Sequence, residues 1–311
     1  MKFDNRFIFV IIGAIAIYAI FLMISDFSLI VTKMSNFKVE YLPLILVIIP
    51  CGWLFLFLRW NLLLKNSNVN IPQKENFKIY FAGFALAITP AKFGELIKSQ
   101  IMKTKFNVPH KTTSSLVLVE RLYDLAGAIA VSFIGIWLIG IGSYIILIAL
   151  AILILVFLMI SSRRIFEKFV GLVGKIKFAQ KFTHPLSESY EVIRTSTRGK
   201  IFLTATITTS AYWLLESLGV YFVLLAFGIN ELSYPIVVSI YTSSLILGAS
   251  SFIPGGVGVT EGTLVGLLNY QGIEISETFA LVILIRIFTL WYSVAFGFIA
   301  LKLSGGLTPK S

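Results

Sequence analysis

Residues 252–262 read FIPGGVGVTEG, and they lie inside a long apolar region. One proline, four glycines and Glu261 fall in this short stretch. Proline removes a backbone donor, and clustered glycine gives up helical order. Lipid offers no water to repair the freed groups, so such a break survives at membrane depth only where protein or a watery cavity surrounds it. A second break reads TPAKFGE at residues 89–95, where Pro90, Gly94 and Glu95 echo Pro254, Gly258 and Glu261. Each is followed by an arginine in an apolar helix, Arg121 and Arg286, at Pro-to-Arg spacings of 31 and 32 residues. The chain therefore contains an internal repeat, with halves at about 41–141 and 201–303.

The 311 residues are 57% hydrophobic and only 13% charged, against about 25% charged in soluble domains. With a mean hydropathy of +0.91, this is the composition of a multi-span membrane protein. The net charge of +11 fits lysine- and arginine-rich cytoplasmic loops facing anionic lipid headgroups better than nucleic acid, which is not an expected partner. Cys51 is the single cysteine and lies in an apolar run, which excludes a disulfide framework and a thiolate metal site. His110 and His184 have no spaced partners, so no metal or other cofactor is expected.

Apolar length predicts an all-α integral membrane fold of six full spans and two re-entrant helical hairpins arranged as an inverted repeat. The spans are 7–24, 41–64, 113–139, 144–160, 201–227 and 276–303. Residues 77–89 are too short to cross ~30 Å of hydrocarbon, which takes about 20 residues. Pro90 ends them and 94–102 run back, giving a hairpin over 77–104; 235–253 and 258–268 form the second. Arg59, near the end of its span, is expected to snorkel outward. The basic loop 161–200 reads as a cytoplasmic linker with room for a surface helix. This arrangement puts 19 Lys or Arg on one side and two, Lys33 and Lys38, on the other, so both termini are expected in the cytoplasm.

Charges within spans are costly, so Glu120, Arg121, Asp124, Glu216, Glu261 and Arg286 need partners or a watery cavity. Glu120 and Asp124 share a helix face. Thr204, Thr208, Tyr212 and Glu216 recur every four residues and are expected to face the interior, as are Arg286, Thr289 and Ser293. Two accounts stand: ion pairs that only fix packing, or a polar translocation path or anionic-headgroup site. The breaks favour the second. A half-helix starting after Pro90 or Pro254 turns unpaired N–H groups and its positive dipole end toward an anion. Lys92 adds a full charge, and Gly255, Gly256 and Gly258 leave bare backbone. The glycine run does not complete a dinucleotide fingerprint, because Glu261 takes the last position and no strand precedes it. No catalytic constellation is present in the sequence.

On these residues the chain resembles the lysylphosphatidylglycerol synthase transmembrane region, also called the flippase-like family. The resemblance rests on Pro90, Lys92, Gly94, Glu95 and Lys98; on Glu120, Arg121 and Asp124; and on Pro254, Gly255, Gly256, Gly258, Glu261 and Arg286. Lysines stand at 92 and 98 where the family more often has arginine, and Thr260 where a basic residue is frequent. Members with synthase activity carry a further soluble aminoacyl-transferase domain, for which this sequence has no room. The resemblance thus implies a cell-membrane protein that moves or binds an amphipathic lipid with a charged headgroup, phospholipid or polyprenyl-linked. It also implies a lipid-modifying synthase or glycosyltransferase as a possible partner. The alternatives are an integral membrane enzyme acting on a lipid-linked phosphate or sugar, with Glu95 or Glu261 as acid or base, and a scaffold for a membrane-bound synthase.

Overall fold

The computed structural model describes residues 37–135, 143–175 and 180–306. The first expected span, 7–24, Lys33, and the end of the third span, 136–139, lie outside these residues. All regular structure among the described residues is helical. After a short 3-10 turn, α1 runs Leu42–Asn66, with Pro43 in the first turn, where a missing N–H is harmless. α2 (Gln73–Ala82) tightens into a 3-10 turn at Gly83–Leu86. A second 3-10 turn, Pro90–Leu96, leads into α3 (Ile97–Phe106). α4 (His110–Ser132), α5 (Ser143–Ser161), α6 (Arg163–Val173) and α7 (Gln180–Ser196) follow. α8 (Gly199–Ala226) precedes α9 (Tyr234–Ser250), the 3-10 turn Pro254–Gly256 and α10 (Val259–Tyr270). The last rod is α11 (Ile275–Arg286), a π turn over Ile287–Trp291, and α12 (Tyr292–Leu303).

Among the described residues, three helices are long and apolar enough to cross a membrane: Val39–Asn66, Gly199–Ala226 and Ile275–Leu303. Leu147–Ser161 with Arg163–Leu172 is a fourth if that pair, bent by 112°, counts as one. The protein is an integral membrane protein with several apolar helices. α4 has the length, 23 residues, but carries Glu120, Arg121 and Asp124 at its middle. The basic stretch after α5 carries two helices that pack together. α6 and α7 lie together, with Phe166 against Tyr190 at 4.9 Å and Ser187 donating to Glu167 at 2.8 Å. Tyr123 of α4 donates to the Ser196 carbonyl at 2.7 Å and ties the pair to the bundle.

Both broken segments fold back on themselves. Lys105 reaches Glu75 at 3.6 Å across the far ends of α2 and α3, while the Lys98 stem packs on Gly83 nearer the tip. In the second, α9 and α10 pack side by side, and a cleft of about 360 Å³ between residues 227–232 and 271–277 marks their far ends. The two tips touch: Gly255 lies against Ile88. The last rod joins the two units, since α11 packs on α10 and α12 packs on α2. At that second crossing a Cβ on Gly297 would overlap the Ala85 amide nitrogen, so only glycine lets the backbones approach this closely.

Candidate functional site

Side chains close each break. At the first tip, Thr89 Oγ1 donates to the Leu86 carbonyl at 2.7 Å and accepts from the Gly94 N–H at 2.6 Å. Lys92 sits in the left-handed region, with φ 56°, a strained setting for a lysine. At the second tip, Gly255, Gly256 and Gly258 have φ of 62°, 65° and 89°, which explains three glycines among four residues. Glu261 Oε2 accepts from the Gly258 N–H at 2.7 Å, the acidic half of a capping box. Pro90 and Pro254 open the two 3-10 turns. Phe252 and Ile253 beside the second tip are 69% and 40% exposed, an apolar rim to a polar seam.

Behind the first tip six charges close a ring in which signs alternate. Arg59 Nη1 donates to Asp124 Oδ1 at 2.7 Å, and Arg121 Nη1 lies 3.1 Å from Asp124 Oδ2. Arg121 Nη2 donates to Glu95 Oε2 at 3.1 Å, which also accepts from Lys98 Nζ at 2.9 Å. Lys98 reaches Glu120 Oε2 at 2.6 Å, and Arg59 Nη2 completes the circuit at Glu120 Oε1, 3.3 Å away. Each acid is held by two cations, so the ring is neutral and carries its charges into the interior. Lys98 is fully buried, with Trp60 and Tyr80 each 4.7 Å from its Nζ. The Arg121 and Asp124 side chains keep 22% and 16% of their exposure and form the ring's accessible edge.

The second half repeats one of these pairs. Arg286 Nε donates to Glu261 Oε1 at 2.7 Å, as Arg121 does to Glu95. Its Nη2 also donates to the Gly255 carbonyl at 2.6 Å, which satisfies broken backbone at the tip. In both halves the acid sits just past the break and the arginine comes from the next long helix. The π turn directly after Arg286 is a local irregularity of a kind frequent at functional sites.

Two charges stand apart. Glu216 on α8 is 5% exposed, and no ion pair forms on it among the described residues. Lys92 is half-buried, and no ion pair forms on it among the described residues.

Two expectations are corrected. Arg59 does not snorkel: it is fully buried, and besides its two acids it donates to Thr209 at 2.9 Å. α1 continues to Asn66, which places Arg59 about 10 Å inside the helix end, level with the acids of α4. The four-residue stripe on α8 also fails at its start. Thr204 is exposed, because a period of four rotates about 40° per step against 3.6 residues per turn. The inward face is Ala205, Thr209, Tyr212, Trp213 and Glu216. Tyr241, Trp60 and Tyr80 carry no sequence signal that separates them from core aromatics.

This constellation, two touching helix breaks each with a Glu–Arg pair, can be set beside known proteins. The family model for the lysylphosphatidylglycerol synthase TM region matches residues 11–297. The chain belongs to this family. Among curated relatives, a UPF0104 membrane protein of Methanocaldococcus jannaschii is 28% identical, over 69% of this chain and 91% of the relative. UPF0104 membrane proteins of Methanothermobacter thermautotrophicus and Pyrococcus horikoshii are 22% and 23% identical and cover 96% and 94% of this chain, in each case with 95% of their own length. The family ties the chain to lipid-related membrane proteins.

Proposed function

We propose that this protein binds an amphipathic lipid with an anionic headgroup and carries it between leaflets. The observation that carries the reading is the seam where the two tips touch. Lys92, an unsaturated cation, stands there beside a ring whose own charges cancel. The rim residues Phe252 and Ile253 offer acyl chains an apolar border. α2 with its 3-10 extension, α9 and α10 reach roughly 20, 25 and 18 Å, short of ~30 Å of hydrocarbon. This supports two re-entrant hairpins entering from opposite sides, with α4 as a full span whose charges face the bundle and the termini in the cytoplasm. The lipid is a phospholipid or a polyprenyl-linked species, and the membrane is the cell membrane. The two tips touch, so loading at the seam requires them to part. Rocking of one repeat against the other, as in other inverted-repeat transporters, supplies that motion.

The test is leaflet exchange of labelled phosphatidylglycerol in liposomes. The parent should exceed empty liposomes, and Lys92→Gln should lose most of that excess while keeping its folded yield. Exchange equal to empty liposomes, across anionic and cationic headgroups and with an imposed ion gradient, overturns translocation by this chain.

A further inference from the structure

α6 leaves an apolar stripe uncovered. Ile165, Phe169 and Leu172 recur at helical spacing on one face, and all three are exposed. A second apolar face, roughly 100° around the helix, is covered by α7. There Phe166 and Val170 are buried, and Phe166 meets the Tyr190 ring at 4.9 Å. The charges of α6 divide between its two flanks. Glu167 accepts from Ser187 of α7 at 2.8 Å, and Arg163 lies 3.9 Å from Glu191 of α7 with its guanidinium over the Tyr190 ring. Arg164 and Lys168 are exposed on the opposite side of the apolar stripe, and no ion pair forms on either among the described residues. The helix before it shows what the stripe meets. α5 has 19 residues and no charge, and reaches roughly 28 Å, close to the ~30 Å of hydrocarbon. Its Leu147, Ile152, Leu155 and Leu158 are exposed, as on a helix that faces lipid. The chain then turns by 112°, which is 22° past a right angle, so α6 runs close to the plane in which α5 ends.

We propose that α6 is an interfacial helix that docks on an anionic leaflet at the end of α5. Ile165, Phe169 and Leu172 enter the boundary between headgroups and acyl chains, about 5–10 Å deep. Arg164 and Lys168 snorkel beside them and pair with anionic headgroups. The one acid of the helix, Glu167, is kept on the α7 side, away from those headgroups. A lipid surface fits this face better than a soluble partner does, because the turn after α5 lays the stripe's helix along the bilayer and joins it to side chains that already face lipid. The docked pair is fixed to the bundle. α7 ends at Ser196, whose carbonyl accepts from Tyr123 of α4, the helix that carries Glu120, Arg121 and Asp124.

The experiment uses the full chain in nanodiscs, with Phe169→Cys in a Cys51→Ser background carrying an environment-sensitive fluorophore. Glu188→Cys, exposed on α7, is the comparison position. The quenchers are phosphatidylcholine and phosphatidylglycerol, each with a nitroxide high on one acyl chain, and acrylamide in the water. At position 169 the lipids should quench and acrylamide should not; at 188 the order should reverse. At low salt the phosphatidylglycerol quencher should exceed the phosphatidylcholine one at 169, by up to about fivefold per cation (about 1 kcal/mol each). High salt should level the two. Arg164→Gln with Lys168→Gln should level them as well, while quenching by phosphatidylcholine stays. Acrylamide that reaches 169 as freely as 188 overturns the proposal. Protection at 169 from lipid and acrylamide alike also overturns it and puts a protein surface on the stripe. Equal quenching by the two lipids at low salt overturns the docking on anionic headgroups.

Discussion

Arg286→Ala tests whether the second tip is held together by the helix that follows it. In the native protein the Arg286 and Glu261 side chains are 3% and 0% exposed, and they meet at 2.7 Å. Removing one partner of a buried pair strands the other charge, at a cost of about 3–5 kcal/mol. The same truncation takes the Nη2 donor from the Gly255 carbonyl, worth about 1–3 kcal/mol if nothing replaces it. The two losses share one side chain and do not simply add. Arg286→Met combined with Glu261→Gln removes both charges at similar volume, so it should be less damaging than Arg286→Ala alone. The first half offers an internal comparison. Glu95 keeps Lys98 at 2.9 Å when Arg121 is lost, and Arg121 is 22% exposed. Arg121→Ala should therefore fall between an exposed and a buried pair, at about 1–3 kcal/mol. The assay is denaturant titration in detergent, followed by tryptophan fluorescence and by the monodisperse fraction in size exclusion. A cost for Arg286→Ala below that of Arg121→Ala, or a double variant as damaged as the single one, would refute the reasoning.

Two further outcomes are expected. Gly297→Ala should destabilise by about 1–3 kcal/mol, because its Cβ meets the backbone of Ala85 and Phe84 rather than a side chain that can move. Gly262→Ala, exposed in α10 with open space around it, should be neutral or stabilising by up to about 1 kcal/mol, and equal effects at the two sites in thermal unfolding would contradict the packing described. Single cysteines at positions 70, 107, 180 and 272, in a Cys51→Ser background, should divide in intact cells: an impermeant thiol reagent should label 272 and spare the other three. Labelling at 107 but not at 70 would make the first hairpin a crossing.

The sequence by itself determined that the fold is helical and lies in a membrane, and it picked out charged residues that the structure brings together. Its apolar runs fix a helical membrane protein, and lipid tolerates broken backbone and charge only inside a protein, so the paired Pro, Gly and Glu and the two arginines had to gather. What it could not decide was who pairs with whom. Arg59 reads as a span-end residue because snorkelling depends on depth and facing, and only the packing of α1 against α4 turns it inward to Asp124 and Glu120. Lys92 and Lys98 look alike six residues apart, yet one closes a buried ring and the other stands at the seam. That difference follows from the left-handed turn at Lys92 and from the antiparallel return of α3, which sets Lys98 between Trp60 and Tyr80. Glu216 carries the same lesson. Its burial follows from hydropathy, but the absence of a matching cation among the described residues is a sum over four elements far apart in the chain. Such sums are fixed by tertiary geometry, because the energy of a buried charge depends on every charge within reach and not on its neighbours in sequence.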